Sequence, residues 1–145
     1  MKIDNFKPKW ISEKLETEAI DFAEEFGRYL CDLQPKNDRG QVLTGRMAMT
    51  TTQIRNFFGE VKRIQAKGFK EEESSFLLIR PKMAYAEARV LQKTAKSRIS
   101  DFKQVMDLSH KAVDLNSEFS EEQFQRFVDF LEAILAYHKA NGGRD

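Results

Sequence analysis

Apolar residues recur every three or four positions along most of this chain, and they do not alternate with polar residues over any sustained run. Recurrence at that interval places apolar side chains on one face of an α-helix, whereas alternation would indicate a β-strand. The clearest example lies near the C-terminus, where Phe124, Phe127, Val128, Leu131 and Ile134 follow the helical spacing. The pattern therefore predicts an all-α protein.

The size of the chain is that of one domain. It has 145 residues, with only 7 glycines and 3 prolines, which are too few for a turn-rich β-sandwich and suit a helical bundle. We predict a single domain in which residues 12–143 form a compact bundle of about five helices. Residues 1–11 are predicted to be a short polar arm, with Trp10 as a candidate anchor.

Breaks in the apolar pattern set the expected bounds of the helices. The predicted helices cover about residues 12–33, 50–66, 72–97, 100–115 and 120–140. Pro81 lies inside the third of them and is expected to kink or split it, because proline removes a helical hydrogen bond. Residues 34–49 form an unusually long predicted connection, since loops above about 12–15 residues are uncommon in compact domains.

Two helices carry a start signal in their sequence. Thr50 with Gln53, and Ser120 with Gln123, have the spacing of a capping box, in which each side chain bonds the backbone of the other residue. Phe119 precedes the second of these starts and is expected to form a hydrophobic staple with the following turn.

Several classes of protein are excluded by what the chain contains. A single cysteine, Cys31, cannot form an internal disulfide, and two histidines, His110 and His138, are too few for the usual zinc frameworks. No apolar run approaches the ~20 residues of a membrane-spanning helix, and the N-terminus lacks the apolar stretch of a signal peptide. We therefore expect a cytoplasmic protein with no membrane association, no bound metal and no cofactor.

Catalysis has little support in the sequence. No nucleophile elbow, phosphate-binding glycine loop, HExxH or CxxC motif is present. His138 falls on the apolar stripe of the last predicted helix, which is more typical of a core or interface histidine than of a general base. We predict no catalytic residues, and a small enzyme that uses His138 with a nearby carboxylate stays open as an alternative.

The charge is unevenly distributed along the chain. Lysine and arginine total 24 against 23 acidic residues, so the net charge is only +1. Residues 34–100, however, carry 14 basic and 6 acidic groups, a net charge of +8, whereas residues 1–33 carry −3 and residues 101–145 carry −4. A basic middle region between acidic ends is able to present a surface that binds phosphate groups.

The basic residues of the middle region fall at helical spacings. Arg55 and Lys62 are seven residues apart and share a face of the second predicted helix. The third predicted helix carries a ridge of cations, which consists of Lys82, Arg89, Lys93 and Lys96. Because like charges at such spacings repel, the ridge is best explained by an anionic partner such as a nucleic-acid backbone. Pairing with the acidic helices of the same or another copy is the alternative.

Three stretches together resemble a known family. They are residues 43–62, which include TTQIRNFFGEVK, residues 76–86, FLLIRPKMAYA, and residues 127–139, FVDFLEAILAYHK. In this order they are similar to the small, all-helical subunit of the type III-A CRISPR-Cas interference complex, the Csm complex. The resemblance covers about residues 10–143. Asn56 and Glu87 depart from it, because a basic and a small residue respectively are usual there.

This resemblance implies a non-catalytic bundle of about five helices that stacks, in several copies, along the backbone subunits of a ribonucleoprotein that also contains a large subunit. In that family the copies line the channel for the guide RNA and its target RNA. Together with the ridge, the resemblance predicts seven RNA-binding residues, namely Arg46, Arg55, Lys62, Arg80, Lys82, Arg89 and Lys93. A helical adaptor that joins protein partners without contacting nucleic acid is the alternative function.

Overall fold

The computed structural model of the protein describes residues 1–31, 39, 48–94 and 96–143. Within these residues the chain forms six α-helices and no β-strand, which confirms the all-α prediction. The helices are α1 (Lys9–Ser12), α2 (Thr17–Cys31), α3 (Thr51–Lys67), α4 (Glu73–Leu91), α5 (Ile99–Lys111) and α6 (Ser120–Ala140). Most of the predicted connection at 34–49 lies outside the described residues.

The last helix, α6, is the centre of the bundle. It packs most extensively against α2 and also against α3 and α1, while α4 packs against α5 and α3. Residues of α6 that recur at three and four positions are fully buried, among them Phe127, Leu131, Ile134 and His138. The helical periodicity seen in the sequence is therefore the periodicity of burial in the core.

The N-terminal residues contribute to the core. Within residues 1–11, the side chains of Phe6, Trp10 and Ile11 are 5%, 2% and 0% exposed. The rings of Phe6 and Trp10 meet edge to face, with their centroids 5.6 Å apart, and Phe6 also lies 5.6 Å from Phe130 of α6. Trp10, the candidate anchor, is thus one of three buried residues in this segment.

The first long helix begins later than the sequence predicts. Ser12 was expected to start a helix over 12–33, but it ends α1, and α2 begins at Thr17. The side chain of Arg126 on α6 donates to the carbonyl oxygens of Ile11, at 2.7 Å, and Ser12, at 3.0 Å. These bonds satisfy the C-terminal carbonyls of α1 and stabilise the interruption between α1 and α2. The interruption therefore depends on a residue more than one hundred positions away.

One of the two predicted capping boxes is confirmed. At the start of α3 the Thr50 hydroxyl accepts from the Gln53 backbone N–H at 3.1 Å, and the Gln53 side chain accepts from the Thr50 N–H at 2.9 Å. Gly68 ends this helix with a φ of 107°, a conformation that glycine adopts without steric cost.

The capping box predicted for α6 is wrong. Gln123 instead accepts from the backbone N–H of Asp114 at 2.7 Å, and the Ser120 hydroxyl accepts from Lys70 at 2.6 Å. Phe119, the expected staple, is 56% exposed. The same side chains are used, but for contacts between elements that the local sequence does not reveal.

Pro81 does not split α4. The helix runs through it from Glu73 to Leu91. Proline has no backbone N–H, so the carbonyl of Leu77, four residues earlier, has no helical hydrogen-bond donor. Both residues lie on the exposed side of the helix, where water can bond to that carbonyl.

Two predicted helices extend too far. The helix predicted over 72–97 ends at Leu91. After it, the Thr94 hydroxyl donates to the Lys96 carbonyl and the Ser97 hydroxyl accepts from the Ile99 N–H. These side-chain bonds to the backbone compete with the helix and turn the chain into α5. The helix predicted over 100–115 ends at Lys111, shortly before the Asp114 N–H that Gln123 holds. No glycine or proline marks either end.

Candidate nucleic-acid interface

A groove lies between α3 and α4. Its volume is about 770 Å³. The floor is mainly apolar and includes Phe57, Ile79, Met83, Val90 and Ile99. Its lining comes mainly from the first half of α3 and the second half of α4.

Three of the seven predicted RNA-binding residues line this groove. Lys82 and Arg89 lie on α4 and Lys93 lies in the turn that follows it, and all three are exposed. The uncharged amide side chains of Gln53 and Asn56 line the α3 side. The groove therefore combines a row of cations, hydrogen-bonding amides and an apolar floor.

One carboxylate also lines the groove, and it pairs with cations. Glu60 on α3 lies 3.1 Å from Lys82 and 2.9 Å from Arg63. The hydrogen bond from Arg63, followed by the contact with Lys82, lowers the pKa of the Glu60 carboxyl to about 2. Glu60 is thus charged at neutral pH and offsets part of the positive charge of Lys82, which spacing along α4 alone does not show.

Three further predicted residues, Arg55, Lys62 and Arg80, do not line the groove. Arg55 and Lys62 are exposed on α3, and the Lys62 ammonium lies 5.8 Å from the ring centroid of Phe58. Arg80 and Arg89 are nine residues apart, two and a half turns, so they project from opposite sides of α4. Arg46 lies outside the described residues. The predicted set is therefore divided between the groove and other surfaces.

An exposed apolar stripe on α4 was not predicted from the sequence. Leu77, Leu78 and Tyr85 are 54%, 53% and 66% exposed. A helix with apolar residues on every side is normally buried, so the excess of apolar residues around α4 was a usable signal. The guanidinium of Arg89 lies 5.8 Å from the centroid of the Tyr85 ring.

The two histidines are core residues. The Nε2 of His138 lies 2.8 Å from the Met49 carbonyl, and the Nε2 of His110 lies 2.6 Å from the Phe76 carbonyl. Burial lowers the pKa of both imidazoles, which keeps them neutral near pH 7. The His138 side chain is 0% exposed, so no substrate reaches it in this conformation.

Cys31 is half-buried. Its thiol donates to the carbonyl of Arg28 at 3.2 Å and lies 3.4 Å from that of Asn141. In the described part of the chain, no three histidine, cysteine or acidic side chains are grouped closely enough to hold a metal ion. None of the helices described is both long and apolar enough to cross a membrane.

Comparison with known proteins identifies one family. A family model described as Csm2 Type III-A matches residues 13–144, nearly the whole chain. The curated proteins and the solved structures give no significant match. The match includes α2 to α6 and both walls of the groove.

Proposed function

The chain belongs to the Csm2 Type III-A family and is therefore a subunit of a type III-A CRISPR-Cas complex, in which we propose that it acts as a non-catalytic, RNA-binding structural subunit. Its proposed partners are the backbones of the guide RNA and target RNA, the backbone and large subunits, and neighbouring copies of the chain. The complex acts in the cytoplasm.

The observation that carries this proposal is the row of cations along the groove. Arg89 and Lys93 make no ion pair with any carboxylate in the described residues, and Lys82 pairs only with Glu60. Unpaired cations on one side of a groove attract phosphate groups, and they release counterions when they bind them. Arg55, Lys62 and Arg80 are also exposed and extend the positive surface to both sides of the helix pair.

Such a surface recognises the RNA backbone more than its sequence. Guide and target would be matched by base pairing, while the protein holds backbone and shape. A single copy that contacts about three to four phosphates would give a slope of log affinity against log salt of about −2 to −3 on single-stranded RNA. Binding by one copy is weak, and adjacent copies on one RNA raise the effective affinity.

Charge reversal in the groove tests the proposal. The variant Arg89→Glu with Lys93→Glu is assembled into the complex with guide RNA, and target RNA binding is measured at several salt concentrations. Loss of about two phosphate contacts makes the salt slope shallower by about 1.4. The matched control is Lys2→Glu with Lys14→Glu, which changes the charge equally at two exposed lysines remote from the groove.

Equal effects of the two double variants would contradict a local interface, because they would show only a response to net charge. An unchanged slope in a complex that has assembled normally would reject RNA binding at the groove. The variant Arg55→Glu with Lys62→Glu then shows whether the outer face of α3 contributes separately.

The exposed apolar residues of α4 favour one alternative, a helical adaptor that contacts only protein partners. Leu77, Leu78 and Tyr85 resemble the anchors of a protein interface. Crosslinking inside the assembled complex separates the two functions. Salt-sensitive RNA crosslinks on α3 and α4 support the RNA-binding subunit, whereas crosslinks to proteins alone support the adaptor.

A further inference from the structure

A stripe of alternating apolar and basic side chains runs along the outer edge of the groove. Leu78, Lys82, Tyr85 and Arg89 are spaced by four, three and four residues, so they lie on one side of α4. Tyr85 has the most exposed ring in the described chain, at 66%. Its position between two cations distinguishes it from the buried aromatic residues of the core.

The geometry around Tyr85 suits a nucleotide. Along the helix axis, Lys82 precedes Tyr85 by about 4.5 Å and Arg89 follows it by about 6 Å, given a rise of 1.5 Å per residue. The Arg89 guanidinium lies 5.8 Å from the ring centroid and has no carboxylate partner in the part of the chain described. The two cations are therefore able to reach phosphates on both sides of one stacked base.

We propose that Tyr85 is a stacking platform for an unpaired RNA base, with Lys82 and Arg89 holding the flanking phosphates. This inference rests on the proposed function and adds a contact to a base, where the proposed function needs only the backbone. An aromatic ring within a positively charged track is the usual means of binding single-stranded nucleic acid, because every base has a face that can stack. The contact therefore adds affinity for single strands without selecting a sequence.

Charge favours this occupant over a protein segment. Tyr85 lies between cations, and Glu60, the carboxylate on α3 that lines the groove beside them, is already paired with Lys82 and Arg63. A phosphate-bearing ligand satisfies Arg89 and covers the ring at the same time. A purely apolar protein surface would cover the ring and leave the Arg89 charge without a partner.

The test compares two probes that carry the same phosphate charge. The full chain is titrated at low salt with a fluorescent single-stranded oligoadenylate and with an abasic oligoribonucleotide of equal length. The wild-type chain is expected to bind the oligoadenylate at least about fivefold more tightly, as expected for one stacked base. In Tyr85→Ala this preference disappears, while the salt slope does not change because no phosphate contact is lost.

Two control variants make the test specific. Tyr85→Phe keeps the ring and is expected to keep the preference for the oligoadenylate. Leu78→Ala removes a side chain of similar exposure, 53%, from the same stripe and is expected to leave binding of both probes unchanged. Both positions are exposed, so the fold is expected to tolerate these changes, and circular dichroism checks it.

Each other outcome overturns the inference. If Tyr85→Ala keeps the preference for the oligoadenylate, or if its affinity for both probes falls equally, no base stacks on this ring. The proposed RNA binding is not contradicted by either result. If Leu78→Ala loses as much of the preference for the oligoadenylate as Tyr85→Ala does, the contact is a general apolar one and not a stacked base. If the wild-type chain binds neither probe even at low salt, both the stacking and the proposed RNA binding by this chain fail.

Discussion

At the scale of single residues, Glu60 shows how one carboxylate changes the character of a basic surface. Its side chain is 24% exposed and it contacts Arg63 within α3 and Lys82 across the groove. By pairing with both, it links the two helices and reduces the repulsion between cations. Arg89 and Lys93 therefore keep their full charge for phosphate binding, while the charge of Lys82 is partly offset.

The paired state of Glu60 predicts a stability effect that depends on pH. Its folded-state pKa of about 2 is below the ordinary value of 4.5, so the stabilisation is present above pH 4.5 and is lost as the pH falls toward 2. Glu60→Gln is expected to lower the free energy of unfolding by about 1 kcal/mol at neutral pH, given partial exposure to solvent. Urea unfolding should show this difference shrinking between pH 4.5 and 2. A difference independent of pH would contradict it.

The buried histidines predict a second pH effect. Burial lowers the pKa of His110 and His138 below the ordinary 6.5, so the folded chain binds fewer protons than the unfolded chain just below that pH. Stability is expected to fall as the pH drops below 6.5. NMR titration of the imidazole Cε1 protons should give both midpoints under 6.5. A midpoint above 6.5 would show that a charged imidazole is stabilised instead.

At the scale of elements, a glycine sets the distance between α2 and α6. A Cβ atom on Gly27 would lie 2.8 Å from the backbone nitrogen of His138 and 2.9 Å from the carbonyl oxygen of Ile134. These are backbone atoms, which cannot move away without shifting α6. Gly59 in α3, by contrast, has no neighbouring atom within 4 Å of such a Cβ.

The two glycines predict opposite effects of the same substitution. Gly27→Ala is expected to destabilise the fold by about 1–3 kcal/mol, since it overpacks the α2–α6 contact. Gly59→Ala is expected to stabilise the fold by about 0.5–1 kcal/mol, because alanine favours the helix and its Cβ atom contacts no neighbouring atom. Denaturant unfolding of both variants measures these effects. A neutral Gly27→Ala would show that the two helices separate easily.

At the scale of the whole molecule, the two ends of the chain are packed together. Phe6 and Trp10 lie against Phe22 of α2 and Phe130 of α6, so the N-terminal segment completes the core. The acidic helices α2 and α6 therefore pack against each other, while the basic α3 and α4 supply the groove. The near-zero net charge conceals this separation.

Removal of one N-terminal ring tests the contribution of this segment. Phe6→Ala is expected to cost about 3–5 kcal/mol, which is a large share of the stability of an ordinary domain. Phe119→Ala deletes a ring that is 56% exposed and is expected to change stability by about 0.5 kcal/mol or less. Thermal unfolding followed by circular dichroism compares the two. Similar effects would contradict a structural role for the N-terminal segment.

Local patterns predicted the parts of the fold that local forces control. The apolar periodicity of α6, the capping box at Thr50 and the glycine end of α3 all depend on residues within one or two turns. The pattern failed where a distant side chain decides the local structure. Arg126 bonds the last carbonyls of α1, which ends at Ser12. The Gln123 side chain, which was expected to cap α6, accepts a hydrogen bond from the Asp114 backbone instead.

The candidate site divides in the same way. The sequence by itself determined that a basic middle region carries Lys82, Arg89 and Lys93 at helical spacings, because spacing along one helix fixes which side chains share a face. Only the tertiary structure decided that these three line a groove, that Arg80 projects from the other side and that Glu60 offsets one cation. Contacts across the groove depend on how two helices pack, and no spacing within a single helix encodes that distance.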